Sequence, residues 1–337
     1  MTLDILNPGG RDPDQSFPDA AGSPSDVGHP PVNYHGYAAC MAGNFRRKAV
    51  GCDSKHVLVL LRKRNMRDAL LAVRELKKRG LTVLLSCKES GSHQIAELLG
   101  DPKRWLQFCE LCREAHGAIS STPELTGLYL AAGARLAEFI PTPYPLECPD
   151  WNFSKPLADR AGIFIGTREF DVPSRNHMAA LIIGDSLSRD LECPLTIVNS
   201  EGRRGREILA PFQKANFRLR VLDSLPYPAY LEEMATHRIV WQLDSSSVPG
   251  QVAGDALLCR MPCLGGNGAV DRLAFPEWSG QQPREILMEK ARTLILDDNE
   301  WKKAAELAVE TGIDQLAFSA VSKKLEAFFN RLHGCCS

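Results

Sequence analysis

Residues 56 to 61 read His-Val-Leu-Val-Leu-Leu, a run in which apolar and polar positions do not alternate. A strand of this kind buries both faces, which is the habit of parallel sheets covered by helices on two sides. The next segments meet that requirement. Residues 66 to 79 carry Ala69, Leu70, Val73 and Leu76 at helical spacing and stop at Gly80, a helix C-terminal signal. Residues 81 to 86 form the next strand, and helical stretches cover 92 to 99 and 102 to 115. A short strand at 117 to 120 leads into Ser121-Thr122-Pro123-Glu124, which reads as a helix start with Pro near N1 and an acid in the first turn. That helix runs to Gly133, and 138 to 140 is a last short strand. Strands alternating with helices predict βαβ units and a parallel sheet.

Pro141-Thr142-Pro143-Tyr144-Pro145, then Pro149, is a stiff segment and the best domain boundary. After it the rhythm restarts. Gly162-Ile163-Phe164-Ile165-Gly166 is a strand entering a glycine turn, and 175 to 187 is helical. Strands at 195–198, 218–222 and 238–243 alternate with helices at 206–215 and 227–234. A helix over 250–260 precedes Cys263-Leu264-Gly265-Gly266, a strand end, and three helices at 282–297, 298–311 and 317–333 close the chain. The chain's start is less legible. Residues 3 to 6 followed by Asn7-Pro8-Gly9-Gly10 read either as a first strand entering a glycine turn or as an unstructured terminus, and 11 to 35 is loop-like with five prolines.

Length and composition narrow the class. At 337 residues two domains are the default, and the formal net charge of -1 gives no sign of a nucleic-acid binder. Eleven cysteines are irregularly spaced, and a chain this long needs no disulfides to bury a core. Cys109 and Cys112 form a C-x-x-C inside a helical pattern with no second pair, which reads as a reduced helix rather than a metal site. No apolar run reaches the roughly 18 residues of a membrane span, and the first thirty residues are not a signal peptide. The expectation is a cytoplasmic protein.

Several segments, in their order, resemble the GT-B-fold glycosyltransferases, closest to glycosyltransferase family 4. "GIFIGTREFDVPSRNHMAAL" resembles the family's strand, Gly-Arg turn and helix start. "PLTIVNSEG", "RLRVLDSLPYPAYLEEMATHRIVWQLDSSS" and "GQVAGDALLCRMPCLGGNGAVDRL" resemble the strands and helices that build its donor site, and "AFSAVSKKLEAFF" its final helix. In the first half, "REAHGAISSTPELTGLYLAAGARLAEFIPTPYP" resembles the last acceptor-domain strand and the interdomain crossover. The likeness covers about residues 81 to 332.

The resemblance implies an α/β chain of GT-B fold: two Rossmann-like, doubly wound domains facing a cleft. Residues 1–143 would form the acceptor-side domain, 144–316 the nucleotide-sugar donor domain, and 317–337 a C-terminal helix able to cross back to the first domain. The implied reaction moves a sugar from a nucleotide-diphosphate sugar, such as a UDP- or GDP-sugar, to an acceptor hydroxyl. Retention of configuration and independence of metal are expected, with no cofactor. The acceptor is open among saccharide, lipid-linked glycan and small molecule, and peripheral membrane association is compatible with the second.

A diphosphate leaving group gains charge as it departs, so cations and backbone N–H groups must meet it. Arg168, just after Gly166, and Arg175, at a helix start, are placed for that task, with two solvated surface arginines as the bland alternative. The family holds its donor with a Glu, seven residues and a second Glu. Asp255 matches the second, which would grip ribose hydroxyls, and the alternative for it is a helix-surface acid. The first falls on Ser247, where no carboxylate stands, so Ser246 and Ser247, or the Val248-Pro249-Gly250-Gln251 backbone, would contact the sugar instead. Gly265 and Gly266 would let backbone approach the donor.

On the acceptor side, Lys88 fills the slot where the family has a His near the donor sugar. Glu89 beside it, His93 five residues on, and Gly9 and Gly10 after the first apolar run are the other acceptor-side candidates, since open α/β sheets bind ligands at strand C-termini; His93 reads equally as an ordinary helix residue. Arg46, Arg47 and Lys48 read as a solvated basic turn. The missing carboxylate at Ser247 keeps two other readings open: a non-catalytic nucleotide-sugar-binding protein, and a sugar-nucleotide epimerase on the same architecture. A dehydrogenase fits less well, because no G-x-G-x-x-G follows a strand with an acid about 20 residues on.

Overall fold

The computed structural model describes residues 1–24, 28–62, 65–88, 91–166, 169–170, 172–215 and 217–334. The chain divides into two compact units, the first comprising Met1–Asp150, Ser247–Pro249 and Gln315–Ser337, the second Trp151–Ser246 and Gly250–Asp314.

In the first unit the elements run β1 (Leu3–Leu6), β2 (Gln15–Ser16), α1 (Asn33–Ala39), β3 (Asn44–Arg46), β4 (His56–Leu61), α2 (Met66–Lys78), β5 (Thr82–Cys87), α3 (Ser92–Leu99), α4 (Pro102–Glu114), β6 (Gly117–Ser120), α5 (Thr126–Ala131) and β7 (Ala137–Phe139). The sheet order is β2-β3-β1-β4-β5-β6-β7, parallel except where β2 pairs with β3. All six residues of β4 are buried, as the unbroken apolar run demands. One face carries Val57, Val59 and Leu61 against α2 and α4. The other carries Leu58 and Leu60 against α1 and the chain's last helix. The terminus is a strand: β1 lies in the middle of the sheet, paired to both β3 and β4. Asp4 on β1 is buried and accepts from Asn44 N, Asp53 N, Ser54 N and Ser54 Oγ at 2.8–3.0 Å, tying the start of the sheet together.

The second unit runs β8 (Ile163–Ile165), α6 (His177–Asp190), β9 (Leu195–Asn199), α7 (Gly202–Lys214), β10 (Leu219–Asp223), α8 (Tyr227–Met234), β11 (Ile239–Trp241), α9 (Gln251–Leu258), β12 (Cys263–Leu264), α10 (Ala269–Ala274), α11 (Arg284–Leu296) and α12 (Asp298–Leu316), whose last two residues belong to the first unit. α13 (Phe318–Gly334) completes the first unit, where its Phe329 ring stacks on His56 at 4.1 Å. The second sheet is wholly parallel, in the order β10-β9-β8-β11-β12.

This order carries the functional consequence. From β8 the chain builds outward through β9 and β10, then returns to lay β11 on the other side of β8. The direction reverses between β8 and β11, and such a switch point opens a crevice at the strand C-termini where ligands bind. In the first sheet the equivalent reversal lies between β1 and β4. Cys109 and Cys112 sit in α4, Cys112 buried within the core and Cys109 packed against it. No helix among the described residues is long and apolar enough to cross a membrane.

Candidate functional site

At the switch point of the second sheet, Gly166 follows β8 and the segment 242–246 follows β11. Residue 175 lies in a short 3-10 turn (Pro173–Arg175), and α6 begins only at His177, two residues later than the spacing predicts. The delay has a local cause. Asn176 adopts φ 53°, a left-handed conformation that Asn tolerates better than most residues. Its side-chain amide donates to Leu243 O at 2.9 Å and Ser245 Oγ at 3.2 Å. The start of α6 is thereby fastened to the loop after β11.

That loop holds a polar cluster. Arg175 Nη1 donates to the Asp244 carboxylate, and Nη2 to Glu169 Oε2 at 2.7 Å. Burial opposes the guanidinium charge, yet Asp244 and Glu169 outweigh it and raise the Arg175 pKa. Asp244 Oδ1 accepts from Ser246 N at 2.7 Å, and the Ser246 hydroxyl lies 2.9 Å from Ser174 Oγ. Ser245 N donates to Ser174 O at 2.8 Å. Arg175 is therefore not a solvated surface residue. It organises the strand end, and Asp244 supplies a carboxylate three residues before Ser247. Ser247 has φ 50° and groups with the first unit. Arg168 lies outside the described residues.

Asp255, the second acid of the pattern, is fully buried on α9 rather than exposed on a helix surface. Its Oδ1 accepts from the hydroxyl of Tyr227, the first residue of α8. A carboxylate held by a phenol is a polar group satisfied in place, as burial requires.

The glycines of the site answer to protein neighbours. A Cβ on Gly265, where φ is 84°, would lie 1.9 Å from Gln242 O. One on Gly266 would lie 2.1 Å from Asp271 Oδ1, and one on Gly166 2.4 Å from Val252 Cγ1. Asp271, in the first turn of α10, is 3% exposed and accepts from Gln242 Nε2 at 2.8 Å. Burial and the nearby Asp244 push its carboxyl up to about 7. Gly266 and Gly268 are thus small because the Asp271 carboxyl occupies the space beside them.

In the first unit, the C-terminal ends of β1, β4 and β5 gather a second cluster. Lys88 follows β5 and its Nζ lies 2.5 Å from Asp12 Oδ2. Asn7 Nδ2 donates to the same oxygen at 3.1 Å, and Arg62 stands 3.7 Å from it. Burial raises the Asp12 pKa, but Lys88, His35 and Arg62 together bring it below the usual carboxylate value. His35, stacked on Phe45 at 3.9 Å, is pushed down to about 4 by burial. Gly9 is exposed with φ 68°, and Gly10 closes the turn by donating to Asn7 O at 3.0 Å. His93 is exposed in the first turn of α3, and Glu89 lies outside the described residues.

Lys88, Gly9 and Gly10 therefore stand together at one sheet edge, and Gly166, Arg175, Ser246, Gly265 and Gly266 at the other unit's. Sequence reasoning did not single out Asp12, Glu169, Asp244, Tyr227 or Asp271 as site residues. Asp244 alone had a local signal, as the acid heading the loop after a strand.

No known protein-family profile matches the chain, and no curated protein matches it in sequence. Solved structures do. An α-glucosyltransferase bound to UDP and a 13-mer DNA containing an HMU base superimposes with a TM-score of 0.62, over 99% of each chain at 12% identity. A UDP-forming α,α-trehalose-phosphate synthase from Burkholderia xenovorans gives 0.59 over 84% of this chain and 74% of that one, at 11% identity. TarM from S. aureus, in complex with UDP among other ligands, gives 0.56 over 82% and 56%, at 12% identity. The chain has the GT-B fold of these glycosyltransferases.

Proposed function

We propose that the chain is a glycosyltransferase that moves a sugar from a nucleotide-diphosphate sugar to an acceptor hydroxyl, with retention of configuration and without a metal ion. The observation that carries this reading is the cluster at the second sheet's switch point. There Arg175 is fixed by two carboxylates beside the glycine turns of a GT-B fold. The α-glucosyltransferase and TarM structures hold UDP, and the trehalose-phosphate synthase is UDP-forming, which favours a uridine diphosphate donor.

In this reading Arg175 and Arg168 meet the diphosphate, and Asp255 accepts from the ribose hydroxyls. The Tyr227 hydroxyl takes the place on that carboxylate which a ribose hydroxyl would claim. Ser246 and Ser247 face the sugar, and Lys88 donates to the leaving phosphate. A departing diphosphate gains charge, so fixed donors of this kind lower the barrier without reorganising. The acceptor could be a saccharide, a glycan on a lipid or another hydroxyl compound, and the DNA in one of the structural relatives makes nucleic acid a further class to assay.

The test is calorimetry with UDP, GDP and their sugars, followed by donor hydrolysis. Binding of none at millimolar concentration removes the reading. A second reading, a nucleotide-sugar-binding protein without turnover, is favoured by the serine at position 247 where the resembled family has its first acid. Tight binding without hydrolysis or transfer to any acceptor decides for it.

A further inference from the structure

The second unit has another pocket, at the N-terminal edge of its sheet, opposite the switch-point crevice. Lys155 and Arg160 lie in the segment leading into β8, Arg260 in the turn leading into β12, and Trp301, Lys302 and Glu306 in the first half of α12. Together they line a cavity of about 260 Å³. β8 and β12 lie parallel in one sheet, so residues that precede them mark its N-terminal edge.

Arg160 is the centre of this pocket's chemistry. It is 4% exposed, and its guanidinium lies 5.1 Å from the centroid of the Trp301 ring. Nε donates to Lys155 O at 3.0 Å and Nη2 to Cys259 O at 2.8 Å, while the buried Nη1 has no hydrogen-bond partner. Among the described residues no carboxylate pairs with Arg160. Burial pulls its pKa down, and Arg260 is shifted the same way for the same reason. A buried cation with an idle donor and no counter-charge is costly, and an oxyanion would relieve both. The guanidinium fork suits phosphate oxygens.

The lining sets four cationic side chains, Lys155, Arg160, Arg260 and Lys302, against one acid, Glu306. The volume is below the roughly 300–1,000 Å³ of pockets that enclose drug-sized ligands, so a nucleotide sugar does not suit it and a small anion does. We propose that this pocket is an anion site for inorganic phosphate or a small phosphate monoester, separate from the site at the strand C-termini.

The probe is inorganic phosphate, titrated by calorimetry and tryptophan fluorescence against chloride of equal ionic strength. Two milder substitutions test it: Lys302→Gln at an exposed position, and Arg260→Asn, since Asn tolerates the φ of 52° found there. Arg160→Gln is the direct variant, but it gives up two carbonyl contacts. Phosphate is expected to raise the melting temperature of the unaltered chain. Each of the two milder variants should weaken phosphate about tenfold, the size of one lost charged hydrogen bond. The melting temperature of Lys302→Gln without phosphate should not change.

Vesicles containing phosphatidic acid, compared with phosphatidylcholine alone, separate the sources. A vesicle response lost in the same variants assigns the anion to a lipid headgroup, and a response to free phosphate alone assigns it to a soluble molecule. Absence of any response to phosphate or vesicles, or affinity unchanged in both variants, overturns the proposal. A parallel fall in UDP affinity overturns the separation of the two sites. The phosphate arm stands whether or not the chain binds UDP.

Discussion

Arg175 and Asp244 are 69 residues apart in the chain, and the Arg175 Nη1 donates directly to the Asp244 carboxylate at the edge of the second sheet. The side chain of Asp244 is only 8% exposed and that of Arg175 20%. Removing the guanidinium would strand a buried carboxylate, which typically costs about 3 kcal/mol or more. Arg175→Ala is therefore expected to lower the denaturant midpoint substantially and to weaken UDP binding. Arg175→Lys keeps the charge but loses the fork, and should retain part of the stability while binding UDP roughly tenfold more weakly. Urea unfolding and calorimetry on the pair check this. UDP affinity unchanged in Arg175→Lys would move the diphosphate elsewhere.

Tyr227 and Asp255 make a sharper test, because the two partners are expected to respond in opposite ways. Tyr227→Phe removes a donor to a buried carboxylate and should cost about 1–3 kcal/mol in stability. If the phenol stands in for a ribose hydroxyl, the same change leaves UDP affinity equal or higher, since the phenol no longer competes for the carboxylate. Asp255→Asn keeps the shape but loses the charged acceptor, and UDP affinity should fall about tenfold. Equal losses of UDP affinity in both variants would show that the pair is structural only.

How much of this was legible in the chain depends on the range of the forces involved. The strand at 56–61 and the helix after it follow from local periodicity, and both stand where the spacing puts them. α1 did not announce itself. It is seven residues long, follows Pro30 and Pro31, and contains Gly36, whose missing side chain is explained only by Pro143 O, 2.6 Å from where a Cβ would lie. β2, at the sheet edge, and β3 beside it are short elements whose pairing is decided by distant neighbours. In the site, the glycine turns were visible but their reason was not. Gly266 is dictated by Asp271 in the helix that follows it and by Gln242 at the end of the neighbouring strand, a relation that carries no sequence period. The ion pair of Lys88 with Asp12 spans 76 residues and begins in a stretch that reads as loop.

Lys88 and Asp12 are partly exposed, at 24% and 37%, so their ion pair is worth at most about 1 kcal/mol. Lys88→Gln should melt close to the unaltered chain at neutral pH. Donor hydrolysis should nevertheless fall more than about tenfold if Lys88 donates to the leaving phosphate. The pair also gives a pH signature. The folded-state pKa of Asp12 is lowered, so its contribution is present above the ordinary carboxylate value and is lost as pH falls through and below it. The small difference in melting temperature between the two proteins should thus close in acid. Unaltered hydrolysis in Lys88→Gln would restrict Lys88 to shaping the turn.

Asp271 predicts the opposite pH dependence. Its carboxyl is raised from 3.8 to about 7 inside the fold, first by burial and then by Asp244. A carboxyl held protonated by the folded state stabilises it fully below about pH 4, and that advantage disappears as pH rises towards 7. At about 1.4 kcal/mol per pKa unit, the ionised side chain costs the fold up to about 4 kcal/mol above neutrality. Asn at this position would still accept the hydrogen bond from Gln242 and would fit the space left by Gly250, Gly266 and Gly268, but it cannot ionise. Asp271→Asn should therefore unfold at nearly the same denaturant concentration as the unaltered chain near pH 4. The variant should then gain steadily between about pH 4 and 7 and hold a constant lead above. Urea midpoints across that range read the effect directly, and a difference that stays flat with pH would mean that Asp271 ionises in the folded chain as freely as in the unfolded one.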